Sequence, residues 1–288
     1  MGVEAAMLCC IGDLVEDVVV WLSADIATAT DTSVSIQRRR GGSAANVAVS
    51  AATSGAAVRF IGRVGEDAIG SALVSELRSA GVDPRVQQEG RTGTIIVLVD
   101  ADGERSMLPD RAAATELQKV DSSEFDGVTW LHVPAYSLVV EPLGTTSRWA
   151  MREVQAAGGT VSIDASSVAI IDQMGTGRFS EMIAELEPDV LFCNADEGAA
   201  LGVFESEGLT GAELTVVKAG SGDAVAYHLA QEVAREPASA ILRVRDTTGA
   251  GDAFAAGFVT ARMRSSDVAV ALATGHEFAA QVLALHSA

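Results

Sequence analysis

One stretch of the sequence combines glycines, threonines and carboxylates in an order that suits anion binding. It reads DTTGAGDAFAAGF from Asp246 to Phe258 and follows the apolar run ILRV at 241–244. We predict a strand over that run and a helix from about 250 to 263. A strand, a glycine-rich loop and a helix start aim several free N–H groups, and the positive end of the helix dipole, at one point. Gly249 and Gly251 would let a bulky anion approach the backbone closely.

Asp252 places a carboxylate inside this predicted anion site. Two interpretations of it stay open from the residues alone. An acidic residue in a first helical turn commonly complements the dipole, with Thr247 or Thr248 as the cap. Alternatively, Asp252 is the base in a phosphoryl transfer, a reaction in which positioning and charge stabilisation matter more than base strength. The same N–H groups would then hold the oxygens of the transferring group.

Two common phosphate-binding motifs do not occur in the sequence. A P-loop requires a lysine directly after a glycine, and neither Lys119 nor Lys218 follows one. A dinucleotide-binding GxGxxG requires a third glycine where Phe254 stands, and GTGRFS at 175–180 fails the same test. The anion site predicted above is therefore of a different kind.

A second glycine-rich stretch, RRRGGSAANVAVSAA at 38–52, also precedes a predicted helix. By itself it is typical of a tight turn and a buried, alanine-rich helix. Asn46, on the first turn or two, offers both a donor and an acceptor, which suits a ligand rich in hydroxyl groups. The arginines at 38–40 fit either a solvated edge or a phosphate clamp.

Short apolar runs alternate with longer alanine-rich segments along the chain. AMLCCIG, AVRFIG, VTWLHV, GTVSIDA, DVLFCN and LTVVKAG are predicted strands, and helix-like segments such as SAANVAVSAATSGA and AIGSALVSELRSAG separate them. Nearly continuous apolar strands are expected where both faces of a sheet are covered. We therefore predict an α/β fold with a doubly wound, mainly parallel sheet flanked by helices.

Two regions do not follow this alternation: about 14–40, and about 92–110, which is typical of a hairpin turning at Asp102-Gly103. We predict that they form a small β-sheet lid beside the carboxyl ends of the parallel strands, where ligands bind. No linker or internal repeat divides the sequence, so we predict one domain over 1–288.

The composition excludes some classes of partner. The chain has 288 residues and a formal net charge of −19, which disfavours binding to nucleic acid or to anionic membranes. Cys9, Cys10 and Cys193 lie in apolar runs without zinc-binding spacing, as expected for reduced core thiols in a cytoplasmic protein. We predict neither a signal peptide nor an apolar run long enough to span a membrane.

Taken together, the two glycine-rich stretches resemble the signatures of the ribokinase-like (PfkB) carbohydrate kinase family. That family has a Gly-Gly stretch near the amino end, here GGSAANVAVSAA, and a D-T-x-G-A-G-D stretch near the carboxyl end, here DTTGAGDAFAAGF. The resemblance extends to IGRVGEDAIGSALVSELRSAGVDP and TGTIIVLVDADGERSMLPD, and so spans nearly the whole chain. It implies a ribokinase-like fold and, with Mg²⁺, transfer of the γ-phosphoryl group of ATP to a hydroxyl of a sugar or nucleoside.

The resemblance also implies roles for single residues. The catalytic base would be Asp252, beside an anion hole formed by Gly249, Ala250 and Gly251. The residues expected to bind the acceptor are Asp13, Asp17, Gly42 and Asn46. The residues expected around the nucleotide are Asn194 and Glu197 of an N-x-x-E motif, Lys218, Gly220, Gly222, Thr247 and His276. Glu197 would reach Mg²⁺ through water.

The sequence departs from the family pattern in three places. GSGD at 220–223 stands where G-x-x-G is usual, and His276 stands where an asparagine near adenine is usual. The sequence ends at ALHSA, where the family often continues into a loop beside a monovalent cation. Asp246 and Thr248 are then the candidate ligands for K⁺, without that loop.

A sugar kinase is the favoured function, and alternatives stay open. A nucleoside kinase of the same fold would need an aromatic or apolar slot, for which the lid offers Trp21. A phosphosugar acceptor would need a basic cluster, with Arg38, Arg40 and Arg105 as candidates. A ligand-binding protein without catalysis would not need Asp252 and its glycines. The resemblance is also compatible with a homodimer formed through the lid.

Overall fold

The computed structural model describes residues 6–100, 103–204, 211–229, 231–238, 246–265 and 267–285. The strands are β1 (Met7–Ile11), β2 (Val15–Leu22), β3 (Val34–Gly41), β4 (Ala57–Val64), β5 (Asp83–Gln88), β6 (Thr94–Val99), β7 (Arg105–Asp110), β8 (Val128–Pro134), β9 (Thr160–Asp164), β10 (Val190–Asn194), β11 (Leu214–Lys218), β12 (Ala224–His228) and β13 (Gln231–Glu236). The helices are α1 (Ser43–Thr53), α2 (Ala68–Ser79), α3 (Tyr136–Val139), α4 (Leu143–Ala156), α5 (Val168–Met174), α6 (Thr176–Leu186), α7 (Ala195–Ala200), α8 (Ala250–Arg262) and α9 (Val268–Leu285). Short 3₁₀ helices lie at Ala112–Thr115 and Ser122–Phe125.

Nine strands of the described residues form one sheet, in the order β13-β12-β11-β10-β9-β8-β1-β4-β5. Neighbours from β11 to β5 are parallel, and β12 and β13 are antiparallel additions at one edge. Alternate residues face opposite sides: Cys10 and Phe60 join one apolar core, whereas Cys9 and Ile61 join the other. Helices α1, α2, α8 and α9 cover the first core, and α4, α5 and α6 cover the second. The predicted doubly wound, mainly parallel fold is confirmed.

Small residues let α8 pack closely on its neighbours. Every residue of α8 from 253 to 261 is buried. A Cβ on Gly257 would lie 2.5 Å from the Thr274 carbonyl oxygen of α9, so only glycine fits at this helix crossing. Four of the five alanines of α1 are buried in the same core, and Ala52 packs against it. This packing fixes the beginnings of α1 and α8 beside each other at one edge of the sheet.

A second, four-stranded sheet has the order β3-β2-β6-β7. Strand β2 pairs in parallel with β6, while the outer pairs β2–β3 and β6–β7 are antiparallel. Val19 and Val97 are buried on its inner side. These strands fall within the two regions assigned to a lid from the sequence. Asp102, at the predicted hairpin turn, and the predicted strand at 241–244 lie outside the described residues.

The three cysteines are free and buried, as expected for core thiols. Burial raises the pKa of each thiol well above its ordinary value. The thiols are therefore protonated at neutral pH and poor nucleophiles.

Helix α9 corrects one expectation. Its 18 residues have a mean hydropathy of 1.5, enough by length and composition to cross a membrane, and 22% of them are buried in the protein. The prediction that the sequence contains no apolar run long enough to span a membrane was therefore wrong. Glu277 is the one charged residue among the 18 residues of this segment, so the mean hydropathy of the segment stays high. Core helices of soluble proteins meet the same criterion, and the His276 ring of α9 packs 5.2 Å from the Phe254 ring of α8.

Candidate active site

Helices α1 and α8 meet at the carboxylate of Asp252. Its Oδ1 accepts a hydrogen bond from the Ser43 hydroxyl at 2.7 Å, and its Oδ2 accepts one from Asn46 Nδ2 at 2.8 Å. Burial raises the pKa of Asp252 to about 6, although these two bonds act to lower it. The carboxylate is therefore ionised at neutral pH, fixed in orientation, and more basic than an exposed aspartate.

The backbone at the start of α8 forms the glycine-rich loop. Gly249 has a φ of 78°, in the left-handed region that glycine adopts without strain. Ala253 donates a helical hydrogen bond to the Gly249 carbonyl at 2.8 Å, so the N–H groups of Gly251 and Asp252 lie ahead of that bond. The loop thus presents N–H groups at the positive end of the helix, beside the Asp252 carboxylate.

Two buried aspartates follow strand β1. Asp13 Oδ1 accepts from the Ala44 N–H at 3.4 Å, at the start of α1. Asp17 Oδ1 is buried and, among the described residues, has no hydrogen-bond partner. Burial raises the pKa of Asp17 to about 6. A Cβ on Gly41 would lie 2.0 Å from Asp17 Oδ1, so glycine at this position is required for the carboxylate to lie where it does.

A cluster of charges lies where β9 and β11 end and α7 begins. Lys218 Nζ contacts Asp164 Oδ2 at 2.5 Å. Burial alone would lower the pKa of Lys218, but the carboxylates of Asp164 and Glu197 outweigh it and raise that pKa. Burial, followed by the charge of Asp164, raises the pKa of Glu197 to about 7. Two carboxylates therefore share one ammonium group, and the cluster would stabilise a further positive charge.

Asn194 and Glu197 form a capping box at the start of α7. The Glu197 N–H donates to Asn194 Oδ1, and the Asn194 N–H and Nδ2 donate to the two carboxylate oxygens of Glu197, each at 2.8 Å. Glu197 thus orders the helix start, and these hydrogen bonds hold its buried carboxylate, which interacts electrostatically with Lys218.

All these groups line one cavity of about 510 Å³. The residues singled out from the sequence that line it are Asp13, Asp17, Gly42, Asn46, Asn194, Glu197, Lys218, Thr248, Gly249, Gly251 and Asp252. Ile95 and Met107 of the four-stranded sheet line it from the other side. The cavity thus lies at the carboxyl ends of parallel strands, where ligands of open α/β sheets commonly bind.

The remaining predicted site residues lie outside the lining of this cavity. Gly220 and Gly222 are exposed in the turn between β11 and β12. His276 is buried, and its Nε2 lies 3.1 Å from a backbone carbonyl oxygen of β13. Ala250 uses its N–H to donate to the Thr247 carbonyl at 3.2 Å. Whether these residues contact a nucleotide stays a prediction.

The loop before Gly249 is bonded to the four-stranded sheet. Arg39 of β3 and Arg105 of β7 both donate to the Asp246 carboxylate, at 2.7 Å and 3.2 Å. Arg105 also donates to the hydroxyls of Thr248 at 2.6 Å and Thr247 at 2.5 Å. The side-chain oxygens expected to bind K⁺ therefore already accept hydrogen bonds from guanidinium groups. Because two positive charges lie against these oxygens, they do not fit a monovalent cation.

Comparison with known families identifies the family of this chain. The model of a family described as pfkB family carbohydrate kinase matches residues 5–288. This chain belongs to the pfkB family. It is accordingly a carbohydrate kinase, a phosphotransferase whose acceptor is an alcohol group.

Relatives of this pfkB-family chain include kinases of free and phosphorylated sugars. A fructokinase of Klebsiella pneumoniae is 32% identical over 233 residues, covering 76% of this chain and 75% of the relative. An ATP-dependent ribose-1-phosphate kinase of Halopiger xanaduensis is 33% identical over 265 residues, covering 88% and 84%. The crystal structure of an adenosine kinase from Sinorhizobium meliloti matches with a TM-score of 0.86 at 23% identity, covering 98% of this chain and 94% of that one. That likeness supports the shared fold.

Some side chains that line the cavity of this pfkB-family chain were not predicted as site residues from the sequence. Asp164 ends β9, which was interpreted only as a strand, although a carboxylate at the end of a buried strand could have indicated it. Arg111 and Tyr136 also line the cavity, with the guanidinium carbon 4.2 Å from the ring centroid. No local motif surrounds either residue, so only the tertiary structure reveals them.

Proposed function

We propose that this carbohydrate kinase transfers the γ-phosphoryl group of ATP to a sugar hydroxyl, with Asp252 as the general base. The observation that carries the proposal is the position of Asp252 in the cavity wall, at the first turn of α8, with both oxygens held by α1. A base that is ionised at neutral pH and has a pKa near 6 can orient a hydroxyl and accept its proton as the new O–P bond forms. The bond from phosphorus to the ADP oxygen breaks in the same transfer, giving a sugar phosphate and ADP.

The acceptor would bind beside Asp13 and Asp17. An ionised carboxylate only accepts hydrogen bonds. The buried Oδ1 of Asp17 has no hydrogen-bond partner within the described part of the chain, so a ligand hydroxyl that donates to it would remove an energetic cost. Asn46 adds an amide next to the base, and Gly42 lets the chain turn closely over Asp13: a Cβ there would lie 2.3 Å from the Asp13 carbonyl oxygen. These features support a hydroxyl-rich acceptor.

The transferring phosphoryl group would lie against the start of α8. The first-turn N–H groups and the helix dipole favour negative charge there. A Cβ on Gly251 would lie 3.5 Å from Lys218 Nζ, which places the ammonium beside the same loop. In a phosphoryl transfer, positioning and charge stabilisation of this kind account for most of the catalysis.

Mg²⁺ fits the carboxylates at the strand ends. Among the described residues, no three His, Cys, Asp or Glu side chains form a metal-binding group. Mg²⁺ bound with ATP needs only one or two protein carboxylates, because phosphates and waters complete its shell. Asp164 and Glu197 share the single charge of Lys218. Burial, followed by the charge of Asp164, raises the pKa of Glu197 to about 7, so a nearby cation would favour its ionised form. We propose that Glu197 holds hydrated Mg²⁺, which would neutralise charge on the phosphates.

A nucleoside kinase of the same fold is the second candidate. Among the residues that the structure describes, the one aromatic ring in the cavity lining is Tyr136, and Arg111 already covers its face. Trp21 packs on the apolar core of the four-stranded sheet and does not line the cavity. These contacts favour a plain sugar over a flat base. Of the arginines considered for a phosphosugar, Arg38 pairs with Glu16, and neither Arg40 nor Arg105 lines this cavity.

Two further expectations stay proposals. Free, buried thiols support a cytoplasmic enzyme. Ile36, Met107 and Leu108 of the four-stranded sheet are more than half exposed, which supports pairing of two copies through this sheet. Light scattering on the purified chain and on a variant with Ile36→Lys would test the pairing.

The function is tested by product formation. The purified chain is incubated with Mg²⁺, ATP and a panel of sugars, phosphosugars and nucleosides, and products are identified by mass spectrometry. We expect a phosphorylated sugar from the wild type and none from Asp252→Asn, which keeps the size of the side chain. Phosphorylation of nucleosides alone would select the second candidate. An Asp252→Asn variant with wild-type turnover would contradict the proposal.

A further inference from the structure

Arg39 and Arg105 converge on the loop that precedes the anion-binding N–H groups. They come from β3 and β7, the two edge strands of the four-stranded sheet, and reach the same carboxylate of Asp246. The Asp246 side chain is 6% exposed, and the arginine side chains are 25% and 32% exposed. Ion pairs with this degree of burial are screened less by salt than exposed pairs.

The two guanidinium groups also donate hydrogen bonds to the side-chain oxygens of the loop around Asp246. Thr248 N–H donates to Asp246 Oδ1 at 2.8 Å, which closes a tight turn. Arg105 bridges the hydroxyls of Thr247 and Thr248 and the Asp246 carboxylate with one planar group. Burial alone would raise the pKa of Asp246, but its bonds to Thr248 and Arg39 hold it at about 2. The carboxylate is therefore ionised at any working pH.

The charge balance follows from these contacts. Two guanidinium groups face the Asp246 carboxylate, and Arg39 also acts to lower the pKa of the neighbouring buried Asp17. Two side-chain positive charges therefore lie at this loop. The oxygens of Asp246 and Thr248 are the groups expected to bind a monovalent cation, and here they accept N–H donors instead. A potassium ion at this point would be repelled by both guanidinium groups.

We propose that Arg39 and Arg105 act in place of a monovalent cation, as positioning residues that hold the loop at 246–248 and thereby set the N–H groups at the start of α8. This inference rests on the proposed kinase function for its kinetic readout. The two arginines do not contact the reacting atoms. They act through the loop, and their positive charge is present without any bound ion.

The first experiment compares salts. The initial rates and the melting temperature of the wild type are measured in KCl and in N-methylglucamine chloride at equal ionic strength, so that screening is the same. We expect equal kcat, equal KM for ATP and equal melting temperature in both salts. A wild type that needs K⁺ for turnover, or that K⁺ stabilises against unfolding as a bound ligand would, would overturn the inference.

The second experiment removes the charges. For the double variant Arg39→Ala with Arg105→Ala we expect kcat to fall by up to about a hundredfold, the loss that a displacement of about 1 Å in the reacting geometry can cause. We also expect K⁺ or guanidinium ion to restore part of the rate and to raise the melting temperature of this variant alone. Arg91→Ala is the matched control, because Arg91 pairs with Asp110 and both are about 60% exposed. Wild-type kcat in the double variant without K⁺ would overturn the inference.

A milder pair of variants covers the case in which the double variant does not fold. Arg105→Lys keeps the charge and Arg105→Ala removes it, so Arg105→Lys should retain more kcat; equal losses would count against the inference. Failure of the proposed function is recognised separately. In that case the wild type phosphorylates no acceptor, whereas the comparison of melting temperatures still decides whether a cation binds.

Discussion

The side-chain amide of Asn46 connects the base to a partly buried arginine, Arg40. Asn46 Nδ2 donates to Asp252 Oδ2 at 2.8 Å, and Asn46 Oδ1 accepts from Arg40 Nη1 at 2.5 Å. Arg40 is held in turn by Glu76 of α2, with Nε to Oε1 at 3.2 Å. Because Arg40 can only donate, it fixes which way the amide faces. The amide must then offer its N–H to Asp252.

Replacing Asn46 with alanine should change the pH dependence as well as the rate. The hydrogen bond from Asn46 lowers the pKa of Asp252, so its loss should raise that pKa above about 6. We expect the acid limb of kcat/KM to move to higher pH and kcat to fall about tenfold to a hundredfold. Thr53→Ala, at the far end of α1, is the control. An unchanged acid limb in Asn46→Ala would contradict the role given to the amide.

Wild-type kcat/KM should fall as the pH decreases through about 6. Asp252 and Asp17 each have a pKa raised to about 6 by burial, and both must be ionised to accept hydrogen bonds from an acceptor. Because two groups ionise in the same pH range, the plot of log kcat/KM against pH should have a slope greater than 1 on its acid side. In Asp17→Asn the slope should approach one, with a higher KM for the acceptor. A slope of one in the wild type would show that one of the two groups is not required.

The ionised Asp252 carboxylate should lower the free energy of unfolding at the pH at which the enzyme works. Its folded pKa, about 6, lies above the ordinary value of 3.8, so the folded state favours the protonated form. The stabilisation of the folded state by protonation of Asp252 is fully present below about pH 3.8 and is lost as the pH rises through about 6. Asp252→Asn should therefore be more stable than the wild type at pH 8, by about 1–2 kcal/mol, with a smaller difference at pH 4. Urea unfolding at the two pH values measures this, and a less stable variant at pH 8 would contradict it.

Local patterns were sufficient to select the residues at the centre of the cavity. Asn46 and Asp252 each lie in a glycine-rich stretch that marks a helix start, so each could be identified from its own surroundings. Their meeting depends on α1 and α8 packing on the same face of the sheet. Small residues permit that packing, but the sequence does not specify which helices become neighbours. The hydrogen bond between them was therefore not predicted.

The arginines at 38–40 show why strand register limits such predictions. Residue 39 pairs with Asp17 in the register of β2 and β3, and its side chain faces Asp246. Arg38, one residue earlier, faces the other way and is 64% exposed beside Glu16. Successive residues of a strand point to opposite faces, so a shift of one position would exchange these roles. From the sequence alone, the arginines fitted either a solvated edge or a phosphate clamp. The two could not be distinguished because the pairing register of β2 and β3 cannot be derived from the sequence.

Lys218 should be required both for folding stability and for nucleotide use. Its ammonium contacts Asp164 and balances Glu197 in a buried setting. Lys218→Met would leave two carboxylates facing each other, and breaking a buried ion pair in this way costs about 3 kcal/mol. We expect urea unfolding to show that loss at pH 8 and less of it at pH 5, because the pKa of Glu197, already about 7, would rise further and the group would become neutral. KM for ATP should rise as well. Lys119→Met is the matched control, since Lys119 packs 5.8 Å from the Trp149 ring and away from the cavity. Equal stability of Lys218→Met and Lys119→Met at pH 8 would show that the ammonium does not balance the two carboxylates.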